Sequence, residues 1–135
     1  MKRSYVLAGT LVLLAVMVAS VGLAAAVEYY PELKITLRGV VWYFETTGET
    51  DMGEPGSFDG RTVIKDSVVA WCWGEDYEII FVEPALILRT KNYVFLVFCP
   101  RDLPEADMIG TTVSGELTNG DTFYTEGGGF AWGRR

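Results

Sequence analysis

Leu33-Lys34-Ile35-Thr36-Leu37-Arg38 alternates apolar and polar side chains, the period of a half-buried strand. Gly39 interrupts, and Val40-Val41-Trp42-Tyr43-Phe44 continues as β-prone residues without alternation, so a bulge or bend is predicted at Gly39. Residues 45–60 read as an acidic, glycine-containing loop. Thr62 to Trp73 is the second β-rich run, with Gly74-Glu75-Asp76 as a short turn. Tyr77 to Val82 is the third, and Pro84 marks a bend or an edge. Ala85 to Leu88 and Tyr93 to Cys99 are nearly unbroken apolar runs around Arg89-Thr90-Lys91-Asn92, which predicts a hairpin buried on much of both faces. Leu103-Pro104-Glu105-Ala106-Asp107-Met108 breaks the β pattern. Its early proline and first-turn acids predict a short helix near 102–109. Thr111 to Leu117 and Thr122 to Thr125 form a last hairpin around Asn119-Gly120, which favours a type I′ turn. Gly127-Gly128-Gly129 then starts a C-terminal tail over 127–135.

The amino terminus has a different pattern. Met1-Lys2-Arg3 is basic, and Val6 to Val27 carries no charge over 22 residues. As a helix that stretch reaches about 33 Å, enough to cross a bilayer core. Its length points to an uncleaved anchor, whereas Ala24-Ala25-Ala26 fits a signal-peptidase site with cleavage before Val27. Both readings keep the basic end inside and export the chain from Glu28 onward. The expected organisation is a signal-anchor or cleaved signal over 1–27, an exported β-domain over 28–126, and the glycine-rich tail. The expected location is the cell membrane, single-pass with the domain outside, or secretion if the signal is cleaved.

From Arg61 onward the expected order is strand, strand, strand, short helix, strand, strand. The stretches Phe58-Asp59-Gly60-Arg61-Thr62-Val63, Tyr93 to Cys99 and Gly110-Thr111-Thr112-Val113-Ser114-Gly115-Glu116-Leu117 resemble those of small OB-fold domains. The resemblance covers about 70 residues and implies a five-stranded Greek-key barrel with a helix between its third and fourth strands. The strand at 33–44 would then be an addition covering a sheet edge. The fold class expected is all-β: a small OB-like barrel with one extra strand and a short helix, after an N-terminal hydrophobic helix. Membrane-tethered OB-domains include periplasmic haem chaperones, which attach haem through a His or Cys followed by a Tyr. This sequence lacks that signature at Cys99-Pro100-Arg101-Asp102-Leu103, so haem carriage is not carried over and no cofactor is expected.

Charge and composition narrow the function classes. With Lys2 and Arg3 set aside, nine basic residues face 18 acidic ones, all at or beyond Glu28. Such a domain repels phosphate backbones, so nucleic acid is not an expected partner. The chain has no histidine, which removes Ser-His-Asp and Cys-His catalysis and histidine metal sites. No pair of carboxylates stands out by spacing, and the domain is too small for a deep cleft, so no enzyme is expected.

Three groups of residues remain as candidates. Cys72 and Cys99 are the only cysteines, and export makes one disulfide the expected state; buried free thiols are the next reading, and a reactive thiol at Cys99 is the sharper alternative. The five carboxylates of residues 45–59 suit a hard cation in kind, but their spacing misses the D-x-D-x-D-G loop, and a solvated loop without metal is expected. Trp71 and Trp73, two apart on a strand, share one face opposite Cys72. They read either as core or as a stacking platform for a ligand or partner. The functional expectation is a non-catalytic, membrane-tethered, extracytoplasmic binding or assembly domain that contacts another envelope protein. The alternative is a module that stacks a glycan or small molecule on Trp71 and Trp73. Phe130 and Trp132 of the tail are further contact candidates.

Overall fold

The computed structural model describes residues 26–131. The anchor-or-signal segment, except for Ala26 and Val27, lies outside them, as do Trp132 and the terminal arginines. No helix among the described residues is long and apolar enough to cross a membrane. Nine strands are present among these residues: β1 (Glu28–Thr36), β2 (Val41–Thr50), β3 (Pro55–Ser57), β4 (Val69–Trp73), β5 (Ile79–Val82), β6 (Leu86–Arg89), β7 (Tyr93–Val97), β8 (Met108–Glu116) and β9 (Thr122–Phe130). Eight form one curled sheet in the order β5-β4-β8-β9-β1-β2-β7-β6, and β3 pairs with β2 beside that path. The molecule is thus all-β, a mixed sheet curled into a half-barrel.

Strand periodicity fills the inside of the curl. Trp42, Phe44 and Thr46 of β2, Val94 and Leu96 of β7, Val113 of β8, Phe123 and Thr125 of β9, and Ala70 and Cys72 of β4 are all buried. They alternate with outward-facing neighbours, as period-two geometry requires. The Trp42 ring packs on Phe98 at 4.5 Å between centroids, and its Nε1 donates to the Gly39 carbonyl at 2.8 Å. Phe44 and Phe123 meet at 5.1 Å. Burial of these rings supplies the main favourable term of folding.

The bend predicted at Gly39 is present as a tight turn over Leu37–Gly39, with Arg38 at φ 57° and Gly39 at φ 87°. The strand on either side does not cover an edge. β1 and β2 lie in the middle of the sheet, between β9 and β7, because both sides of β2 are needed to complete the curl. β1 and β9 run parallel, while every other pair of neighbouring strands is antiparallel.

Other expectations change on contact with the structure. The run from Thr62 to Val68 is two short 3-10 turns, Gly60–Thr62 and Lys65–Ser67. The Asp59 carboxylate accepts from the Arg61 amide at 2.9 Å and so turns the chain locally instead of extending it. No helix forms over 102–109: a single 3-10 turn covers Pro100–Asp102, Leu103 is buried, and Met108 already belongs to β8. One anchored apolar residue between turns leaves no room for a propagating helix. The acidic stretch is a hairpin, with β2 running to Thr50 and pairing with β3 at Thr47–Ser57. The 127–135 tail does not leave the domain at Gly127, since β9 continues to a buried Phe130.

Asn119-Gly120 does turn the chain, but not as type I′. The Gly120 amide donates to Leu117 O at 3.0 Å and Leu117 N donates to Asp121 O at 2.8 Å, with positive φ at Gly120 alone. This is a three-residue loop, a type I turn followed by one left-handed residue. Thr50 to Glu54 repeats it with Gly53 in the left-handed place. Gly74 to Glu78 repeats it again, with Tyr77 there at φ 61°.

Candidate functional site: the aromatic outer face of β4, β5, β8 and β9

Trp71 and Trp73 share a face of β4, and Cys72 between them points into the core, as the spacing requires. That shared face is the outside of the half-barrel. In register, Trp71 lies between Phe81 of β5 and Thr112 of β8, and Trp73 between Ile79 and Gly110. Trp71 is 6% exposed because its neighbours lean over it: Phe81 at 6.0 Å and Tyr124 at 6.2 Å between ring centroids. Trp73 is half-buried, its indole lying across Gly110 where any β-carbon would collide with the ring. Glycine at that position lets the indole come close to the β8 backbone.

The shelf has a polar margin. The Tyr124 hydroxyl donates to Glu126 Oε2 at 3.2 Å, and burial together with the neighbouring carboxylate pushes its phenol up from the usual value. Phe81 remains 45% exposed at the outer rim, on the strand that ends the sheet. Beyond it, Tyr77 stands 77% exposed at the hairpin tip, among Glu75, Asp76 and Glu78. The arrangement offers an aromatic surface, its rings tilted against Trp71 by 55° and 63°, with carboxylate acceptors beside it for apolar contact and hydrogen bonding.

The two cysteines are free thiols, so the expected Cys72–Cys99 disulfide is not formed. Cys72 sits on β4 and Cys99 just beyond β7, and β8, β9, β1 and β2 lie between those strands in the sheet. The Cys72 thiol is fully buried, 3.8 Å from the Ile80 carbonyl, and burial pushes it up to about 12. Such a thiol is inert as a nucleophile. Among the described residues no group of three Cys, Asp or Glu side chains is placed to hold a metal. The Asp59 carboxylate at the end of the acidic stretch is engaged instead with Arg61. Their side-chain hydrogen bonds, 2.6 Å at the shortest, hold Asp59 down at about 2.

Two further features escaped the sequence reading. A shallow groove of about 360 Å³ runs along the seam near the β5–β6 connection, between Lys65 and Asp66 on one side and Pro84 and Ile87 on the other. The run Tyr93–Cys99 is not buried on both faces. Tyr93, Phe95 and Val97 face outward, and Phe95 stacks on Tyr43 at 5.5 Å and on Tyr93 at 5.8 Å. Unbroken hydrophobicity along a strand does not reveal which side stays open. The chain matches no protein-family model, no curated protein and no solved structure.

Proposed function

We propose that this chain is a non-catalytic, membrane-tethered extracytoplasmic domain that binds another envelope protein through the outer face carrying Trp71 and Trp73. The supporting observation is the half-buried Trp73 indole lying across Gly110, on the same face as Trp71 and the 45% exposed Phe81 that packs against it. Large aromatics presented beside an open sheet edge are the usual anchors of protein interfaces. The tether is the uncharged segment Val6–Val27, which either spans the cell membrane or is removed on secretion. An OB-type barrel is the finer reading of the fold, favoured by the curl of the sheet and the final β8–β9 hairpin.

A second reading, capture of a glycan or small molecule, draws on the carboxylate of Glu126 and the hydroxyl of Tyr124 beside the indoles. Sugars stack an apolar face on such rings while their hydroxyls donate to such acceptors. A photo-crosslinking residue at Phe81, with one at Glu116 as a control, tests the first reading in native membranes. Capture of one protein from position 81 and not 116 is expected. Tryptophan fluorescence that responds to a soluble glycan, with no protein captured at 81, replaces the first reading with the second.

A further inference from the structure

The opposite flank of the half-barrel, β6, β7 and β2, carries a second apolar surface. Leu86 and Leu88 are each 47% exposed, Tyr93 is 38% exposed, and Phe95, Tyr43 and Val97 lie half-buried beside them. Register places these side chains together: Leu88 opposite Phe95, Leu86 opposite Val97 and Tyr43 opposite Phe95. Inward residues of the same strands, Val94, Leu96 and Phe44, already fill the core, so this layer adds nothing inside. We propose that this flank rests on the surface of the bilayer that anchors the chain, an inference that depends on the membrane-tethered reading above.

Three observations favour a lipid surface over other occupants. The first is connection: the uncharged 22-residue segment ends at Val27, and β1, which begins at Glu28, pairs with β2 through Lys34–Tyr43. Six residues of strand span about 20 Å, so a domain tethered at Val27 has this flank within reach of the headgroups. The second is charge. Most of the domain is acidic, but around this flank exposed Lys34, Arg89, Lys91 and Arg101 balance exposed Glu32, Glu45, Glu83 and Asp102, with Glu32 ion-paired to Lys34 at 3.7 Å. It is therefore the side that an anionic bilayer repels least. The third is composition, because tyrosines among leucines match the headgroup boundary, where an aromatic ring and a hydroxyl are both accommodated. A weak surface suffices here, since a tethered domain meets its membrane at high effective concentration.

Hydroxyl-radical footprinting of the full chain tests this. The chain would be compared in phosphatidylcholine–phosphatidylglycerol nanodiscs and in detergent, with labelling read by mass spectrometry at each residue. Labelling of Leu86, Leu88 and Tyr93 should fall several-fold in the nanodiscs, while Phe81 and Tyr77, equally exposed or more so, stay unchanged. In a Leu86→Ser/Leu88→Ser variant that still remains in the disc, the protection of Tyr93 should be lost. Equal labelling of both flanks in a chain retained by the disc overturns this inference and leaves the tether intact. Release of the chain from the disc overturns the tether and this inference together. Protection that appears equally in detergent and grows with protein concentration assigns the flank to a second copy, and also overturns it.

Discussion

The ring of Phe130 occupies the space beside Gly39 that a β-carbon on that glycine would need. The two residues come from opposite ends of the domain, and Trp42 joins them, 6.2 Å from Phe130 between centroids and bonded through its indole to the Gly39 carbonyl. Phe130→Ala is therefore expected to cost about 3 kcal/mol, as for other buried aromatics. Gly39→Ala should destabilise as well, by about 1–2 kcal/mol from its left-handed backbone alone. Urea denaturation of both variants checks this. Wild-type midpoints for Phe130→Ala would return residues 127–135 to the status of a free tail.

Tyr77 occupies the left-handed slot that glycine fills in the two sister turns at Gly53 and Gly120. Its ring is 77% exposed and gains little from packing. Tyr77→Gly should therefore raise stability by about 0.5–1 kcal/mol, the relief of backbone strain less the entropy that glycine adds to the unfolded chain. A higher urea midpoint at constant slope is the expected result, and a lower midpoint would mean that Tyr77 makes a contact worth more than its strain.

The buried Cys72 thiol gives a pH signature of definite sign. Its folded value, about 12, lies above that of an unfolded cysteine, so the native state keeps a proton that the unfolded state releases. Its contribution is complete below the unfolded value near 8.5 and declines as pH rises toward 12. Tyr29, Tyr30 and Tyr124, also shifted up by burial, decline over a higher range. Stability measured from pH 8 to 10.5 should fall less steeply in Cys72→Ala than in the wild type. In the unreduced native protein, Cys99 should alkylate quickly and Cys72 only on unfolding.

Trp71 and Trp73 should separate on truncation. Trp71→Ala removes a ring that its neighbours enclose and should cost about 3–5 kcal/mol. Trp73→Ala removes a half-buried ring and should cost about 1–2 kcal/mol. Thermal melts of both, read beside crosslinking from position 81, check this. Lost crosslinking in a well-folded Trp73→Ala protein is the expected pattern, and equal large losses of stability would make both rings structural.

Local signals carried the class and much of the strand placement. Alternation marked β1, β-branched and aromatic runs marked β4, β5, β7 and β8, and glycine marked the bend at residue 39. Beyond the local turns at 60–67, 100–102 and 117–121, what failed was non-local. Nothing near Val40–Phe44 says that β2 will be flanked by β1 and β7, and nothing near Gly127 says that Phe130 must reach back to Gly39. The pairing of Trp71 with Trp73 on one face was legible, because a two-residue period is local. Whether that face lay inside or outside was not, since it depends on which way the whole sheet curls. Cys72 and Cys99 misled for a related reason: compartment suggests that two thiols can join, but only sheet order says whether they meet.

The parallel pairing of β1 with β9 places a condition on synthesis. Glu28 and Thr122, hydrogen-bonded at 3.2 Å, are 94 positions apart. A chain made from its amino end must therefore hold one flank of β1 bare until β9 has emerged. Partial products cannot close the sheet, and they present an unsatisfied strand to any neighbouring chain. Maturation of the domain is in this sense an event timed by β9, and synthesis that stalls before β9 would release a sticky intermediate instead of a slightly shorter domain.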